Sequence, residues 1–179
     1  MKLRKGSQDA TGLTVGIVAS KFNKFVTSRL LTECVKALTK AGASDEAIEV
    51  VRVPGAFEIP LVARQLARSG RFDAVICLGA VIRGDTPHFE YISTEVSRGI
   101  LQASMESNLP VIFGVLTTDT VAQAIERADP AKLNRGADAA KTAIEMVNVM
   151  RQLKKEESED VPPAPAPRRA GRTAARAKR

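Results

Sequence analysis

The chain predicts an α/β fold in which a four-stranded parallel sheet is covered by helices on both faces. Three observations carry this. Strand-like runs and helix-periodic segments alternate four times along the sequence, the order that successive βα units produce. The strand-like runs are continuously apolar, as in Ala74–Ile82, which marks strands buried on both faces. Such sheets bind ligands beyond the carboxyl ends of their strands, and the loops there (20–25, 54–58, 83–90 and 117–120) hold nearly all the chemically distinctive residues.

Each element follows from local pattern. Leu13-Thr-Val-Gly-Ile-Val-Ala-Ser20 reads as the first strand, bounded by Gly12 and the polar Lys21-Phe-Asn-Lys24. From Val26, apolar side chains recur at Leu30, Leu31, Cys34, Val35 and Leu38, the helical period, with Gly42 as its C-terminal stop. Ile48–Val53 is a second strand, ended by Pro54-Gly55. A helix is expected from Glu58 or Pro60 to Ser69-Gly70, since proline is tolerated in a first turn. The third strand, Ala74–Ile82, empties into Arg83-Gly-Asp-Thr-Pro-His88, and a helix from about Phe89 presents Ile92, Val96, Ile100 and Ala103 on one face. Pro110–Leu116 is the fourth strand. A short helix lies within Thr117–Arg127, with Thr118 or Asp119 as N-cap, and a final helix runs from about Gly136 to Leu153.

Composition bounds the function. At 179 residues, the chain is of single-domain length with a well-buried core. No apolar run reaches the ~20 residues that span a bilayer, and the charged start Met1-Lys-Leu-Arg-Lys-Gly is not followed by a secretory apolar segment. A cytoplasmic protein without membrane contact is expected. Cys34 and Cys77 sit among apolar residues and read as core thiols. With one histidine and two separated cysteines, no metal site is expected. The net charge of +7 is uneven: residues 161–179 hold six basic side chains and no acid, so removing +6 leaves +1 for residues 1–160. The expected organisation is an α/β domain over residues 1–155 and a disordered Pro/Ala/Arg-rich basic tail over 156–179, too poor in apolar surface to offset its ordering entropy. Basic tails can attract nucleic acid or acidic surfaces, though most are simply solvated.

The loops exclude several chemistries. There is no GxGxxG after the first strand, no GxxxxGK[ST] and no nucleophile elbow, so neither a dinucleotide nor a covalent serine mechanism is indicated. His88, the only histidine, is the first candidate for proton transfer near neutral pH. Arg83, Gly84 and Thr86 precede a helix, a setting that suits a phosphate, although Asp85 or Thr86 could equally be an ordinary cap. Phe22 and Phe57 lie in separate loops and admit two readings, a clamp for a flat ring or plugs of the core. Asn23 and Glu58 could hydrogen-bond a heterocycle, or Glu58 could simply begin its helix. The tripeptide Arg83-Gly84-Asp85 carries no adhesion role in this reading. Clamps, a phosphate loop and one histidine suggest condensation or isomerisation of a phosphorylated small molecule.

Six collinear motifs carry a family resemblance: Gly16-Ile-Val-Ala-Ser-Lys-Phe-Asn23, Val53-Pro-Gly-Ala-Phe-Glu-Ile-Pro60, Gly79-Ala-Val-Ile-Arg-Gly-Asp-Thr-Pro-His-Phe-Glu-Tyr91, Phe113-Gly-Val-Leu-Thr-Thr118, Gln123-Ala-Ile-Glu-Arg127 and Asn134-Arg-Gly-Ala-Asp-Ala-Ala140. Over about residues 10–153 the chain resembles the lumazine synthases of riboflavin biosynthesis. The resemblance implies a flavodoxin-like three-layer α/β/α sandwich and a transferase that condenses 5-amino-6-(D-ribitylamino)uracil with 3,4-dihydroxy-2-butanone 4-phosphate, releasing phosphate and water, without a cofactor. It implies pyrimidine contacts at Phe22, Ala56, Phe57, Glu58, Ala80, Val81 and Ile82, closed by Phe113, and phosphate contacts at Asp85, Thr86 and Arg127. It assigns proton transfer to His88 and draws Phe113 and Arg127 from the adjacent subunit of a pentamer, which some members extend to a sixty-subunit shell. Association with riboflavin synthase is a further implied partner.

The chain departs from the common family pattern at Arg135 and Asp138, where lysine and glutamate are usual, at Asp85, where a small residue is frequent, and in the tail. The alternative is a catalytically silent shell or scaffold whose tail binds nucleic acid or cargo.

Overall fold

The computed structural model describes residues 1–159, with side-chain surroundings to Lys155. The proposed disordered tail lies outside the described residues from residue 160 onward. The elements, in chain order, are β1 (Val15–Ser20), α1 (Lys24–Lys40), a single 3₁₀ turn (Asp45–Ala47), β2 (Ile48–Val53), α2 (Ile59–Ala67), β3 (Ala74–Ile82), α3 (His88–Ser107), β4 (Val111–Thr118), α4 (Val121–Ala128) and α5 (Arg135–Glu159). The expected α/β class and four-stranded parallel sheet are both present. α5 continues past the boundary at residue 155 that composition suggested.

The sheet order is β2-β1-β3-β4, and every pairing is parallel. β1 therefore lies between β2 and β3, with Val15 opposite Ile48 on one side and Ala74 on the other. This makes the gap between the carboxyl ends of β1 and β3 the point where the strand order reverses, the usual crevice of such sheets. Alternate residues of β1 and β3 feed two cores. Ile17, Ile76 and Leu78 pack with Leu30 and Leu38 of α1 and Ile144 of α5 on one face. Val18, Val75 and Cys77 pack with Ile59, Ala63, Val96 and Ile100 of α2 and α3 on the other.

Close packing depends on Gly79 in the middle of β3. A Cβ there would lie 3.0 Å from Ile59 Cδ1 and 3.4 Å from Val115 Cγ1, so the glycine lets the start of α2 settle on the sheet. Ile59 is completely buried there, and burying such a side chain stabilises by about 1.5–3 kcal/mol.

Three sequence expectations shift. β1 begins at Val15, because the N–H of Leu13 turns back to Ala10 O at 3.0 Å. β4 extends through Thr118, pairing with Ile82, so neither Thr118 nor Asp119 caps α4; the cap is Thr120, whose hydroxyl accepts from Gln123 N at 3.2 Å. At the start of α3 the N-cap is Pro87 with no side-chain bond, rather than Asp85 or Thr86.

The first residues run along the last helix. Asn148 Nδ2 donates to Ser7 O at 3.2 Å and Asp9 O at 3.0 Å, and Gln152 Nε2 donates to Lys5 O at 2.9 Å. Both cysteines are free and buried. Burial pushes the Cys34 thiol up to about 12 and raises that of Cys77 further, as expected of packing groups rather than nucleophiles. Among the described residues, no helix is long and apolar enough to cross a membrane.

Candidate active site

A cavity of about 690 Å³ lies at the reversal of strand order, between the loops that follow β1, β2 and β3. The first two loops extend the parallel pairing of their strands: Lys21 N donates to Val53 O at 2.8 Å, and Phe22 N donates to Pro54 O at 3.0 Å. Asn23 then turns the chain into α1 through a left-handed conformation, φ 54°, which asparagine tolerates better than most residues. Its Nδ2 donates to Ala80 O at 2.9 Å, joining this loop to β3.

Phe22 and Phe57 line the cavity from these two loops and are 69% and 56% exposed. Rings this exposed are not core plugs. Glu58 also lines the cavity, and one of its carboxylate oxygens accepts from Gly55 N at 2.8 Å. That bond fixes the loop between Pro54 and α2. Ala56 packs beneath the loop, 8% exposed.

The floor is the end of β3. Its ladder with β1 stops at Leu78, while its ladder with β4 continues to Ile82. Successive strand residues point their backbone groups to opposite sides. Ala80 and Ile82 therefore turn theirs to the cavity flank, whereas Val81 pairs with β4. A planar ring with donors and acceptors on its edge can complete this open flank.

Gly84, Thr86 and His88 close the other end. His88 is the first residue of α3, where the amide groups of a first turn lack intrahelical partners and favour an anion. Asp85 belongs to the same loop but is not part of the cavity lining. Arg83 does not offer its guanidinium to this end either. Its Nε donates to Asp119 Oδ1 at 2.8 Å and its Nη1 to Glu90 Oε1 at 3.2 Å.

Phe113 and Arg127 lie apart from the cavity of their own chain. Phe113 stands on the edge strand β4, 46% exposed, and Arg127 lies in the last turn of α4 with its Nη1 donating to Gln123 O at 3.1 Å. Arg135 and Asp138 form an ion pair at 3.2 Å in the first turn of α5. No cluster of metal-ligating side chains occurs among the described residues.

Two elements of the site were missed by sequence reasoning alone: the bond from Asn23 to Ala80, and the network around Arg83. The first joins residues 57 apart and the second includes the pair Arg83–Asp119, 36 apart, separations for which spacing in the chain carries no signal.

Comparison with known proteins places this geometry in context. Residues 12–151 match the family model for 6,7-dimethyl-8-ribityllumazine synthase. The chain is 60% identical over 149 residues to the 6,7-dimethyl-8-ribityllumazine synthase of Syntrophus aciditrophicus (strain SB), covering 83% of this chain and 97% of that protein.

Proposed function

The chain belongs to the 6,7-dimethyl-8-ribityllumazine synthase family, and from that membership we infer that it is a transferase of riboflavin biosynthesis. It condenses 5-amino-6-(D-ribitylamino)uracil with 3,4-dihydroxy-2-butanone 4-phosphate. The observation that best supports a working site is the convergence on one cavity of two open aromatic rings, a strand flank that β1 leaves uncovered beyond Leu78, and the lone histidine at a helix start.

In this reading Phe22 and Phe57 hold the pyrimidine ring, Ala80, Val81 and Ile82 meet its edge, and Ala56 and Glu58 contact the ring and its ribityl chain. The butanone phosphate lies at the other end, where Thr86 and the backbone N–H groups around Asp85 hold the phosphate. The 5-amino group then adds to the ketone carbonyl, and loss of water leaves an imine. Elimination expels inorganic phosphate, and attack by the ribitylamino nitrogen on the new carbonyl closes the second ring with loss of another water. His88 moves protons between the attacking amine and the departing oxygen. Holding both substrates in register supplies a large part of the acceleration, so the histidine assists rather than dominates.

We propose that Phe113 covers the pyrimidine and Arg127 reaches the phosphate of the neighbouring subunit, in a pentamer or in a shell of pentamers. Exposure of Phe113 and the position of Arg127 away from its own cavity support this. Light scattering on purified protein separates pentamer from shell. We also propose a cytoplasmic location and association with riboflavin synthase; nucleic-acid contact through the tail is the less favoured reading, because most basic tails are simply solvated. We propose likewise the division into an α/β domain over residues 1–155 and a basic tail over 156–179, with α5 carrying the chain across that boundary to Glu159. The silent-scaffold alternative is not favoured by retention of His88, Phe57 and Thr86 around one cavity.

Incubating the protein with both substrates should release lumazine and inorganic phosphate in equal amounts. Bound substrates with no product would sink the catalytic reading.

A further inference from the structure

We propose that Arg83 is a positioning residue for the phosphate-side loop, acting through Asp119, Glu90 and Phe89 rather than touching substrate. This rests on the reading above that residues 84–88 receive the phosphate.

Arg83 is the first residue past β3, and its backbone N–H donates to Thr118 O at 2.9 Å, at the end of β4. From this anchored root the side chain reaches across the loop. Nε meets Asp119 beyond β4, Nη1 meets Glu90 in the first turn of α3, and Cζ lies 4.5 Å from the centroid of the Phe89 ring. One planar group thus ties the start of the 84–88 segment to its end and to the neighbouring loop.

The segment needs such a tie. α3 has no side-chain bond at its N-cap, and Gly84 stands in open space, with no atom beyond its chain neighbours within 4 Å of where its Cβ would be. A site built from backbone N–H groups works only when the backbone is held.

Charge argues the same way. Arg83 faces two carboxylates, so its positive charge is already matched and then exceeded, which leaves little attraction for a phosphate dianion. Lysine could not replace it. An ammonium is a single point, whereas the guanidinium directs separate donors to two carboxylates and lays a flat face on Phe89.

The test compares Arg83→Ala, Arg83→Lys and the double variant Asp119→Asn/Glu90→Gln with wild type, by steady-state kinetics in each substrate and by hydrogen exchange of residues 84–90. KM for the butanone phosphate should rise about tenfold or more in all three, with KM for the pyrimidine within about twofold. Exchange across 84–90 should quicken. Adding Arg83→Ala to the double variant should change little further, because the same link is already cut.

Tighter phosphate binding in the double variant, or full activity in Arg83→Lys, would make Arg83 a direct ligand and overturn the proposal. Unchanged exchange in Arg83→Ala would overturn it as well, whether or not the chain makes lumazine. Should Arg83→Ala fail to assemble, the other two variants carry the same comparison. Quickened exchange together with a wild type that makes no lumazine would overturn the catalytic reading and leave the hold of Arg83 on the loop established.

Discussion

The side-chain amide of Asn23 donates to the carbonyl of Ala80 at 2.9 Å, joining the left-handed residue that begins α1 to the open end of β3. This single bond spans the crevice between β1 and β3 and sets the separation of Phe22 from the cavity floor.

Asn23→Ala should therefore cost stability twice. It forces a residue with a Cβ and no polar side chain into the left-handed region, about 1–2 kcal/mol. It also removes the donor to a part-buried carbonyl, about 1–3 kcal/mol. Asn23→Gly removes the bond but not the conformational freedom, so its melting temperature should lie between those of Asn23→Ala and wild type at equal protein concentration. Equal melting of the two variants would mean that the left-handed turn carries no strain.

His88→Ala should lower turnover by about 10²–10⁴-fold, the usual contribution of general acid–base catalysis. Activity above the uncatalysed condensation should survive, because positioning of the two substrates is untouched. The oligomer should keep its mass, as His88 lines the cavity at the head of α3. Full turnover in the variant would remove His88 from the proton path.

Arg127→Ala should weaken the butanone phosphate and spare the pyrimidine, since a guanidinium matches phosphate oxygens bidentately. If Arg127 serves the neighbouring subunit, co-refolding His88→Ala with Arg127→Ala should restore activity beyond the sum of the two preparations. Mixed oligomers confirmed by mass spectrometry but inactive would place both residues in one subunit's site.

Asp73 gives a pH signature. Burial would raise its carboxyl, but the backbone N–H and hydroxyl of Thr14 and the guanidinium of Arg151 outweigh this and hold it below the ordinary 3.8. A depressed carboxyl contributes stability above its unfolded pKa and loses it as the pH falls through the folded value. Asp73→Asn should thus be less stable than wild type at neutral pH, with the gap closing below about pH 4. Urea midpoints across the range from pH 7 to 3 measure this, and a gap that stays constant would contradict it.

The fold was legible because buried parallel strands declare themselves as uninterrupted apolar runs; Ala74–Ile82 was bounded correctly from composition alone. The cap of α4 was not. Thr118, Asp119 and Thr120 all suit a cap, and only the extra length of β4 against β3 selects Thr120. The same limit applied to the site. Residues of the strand-end loops could be collected from the chain, but whether Phe22 and Phe57 were buried, and where the donors of Arg83 pointed, depended on contacts between distant segments.

The contacts between the first residues and the last helix bear on synthesis. Lys5, Ser7 and Asp9 find their partners on Asn148 and Gln152, and Leu30 and Leu38 of α1 share a core with Ala140 and Ile144 of α5. A nascent chain that has emerged only as far as α4 can build the sheet but leaves bare the flank of α1 and the sheet surface that α5 covers, with the contacts of Lys5, Ser7 and Asp9 unmade. Completion waits for the carboxyl-terminal helix to clear the ribosome, so the interval in which apolar surface is open to chaperones lasts through nearly the whole of translation.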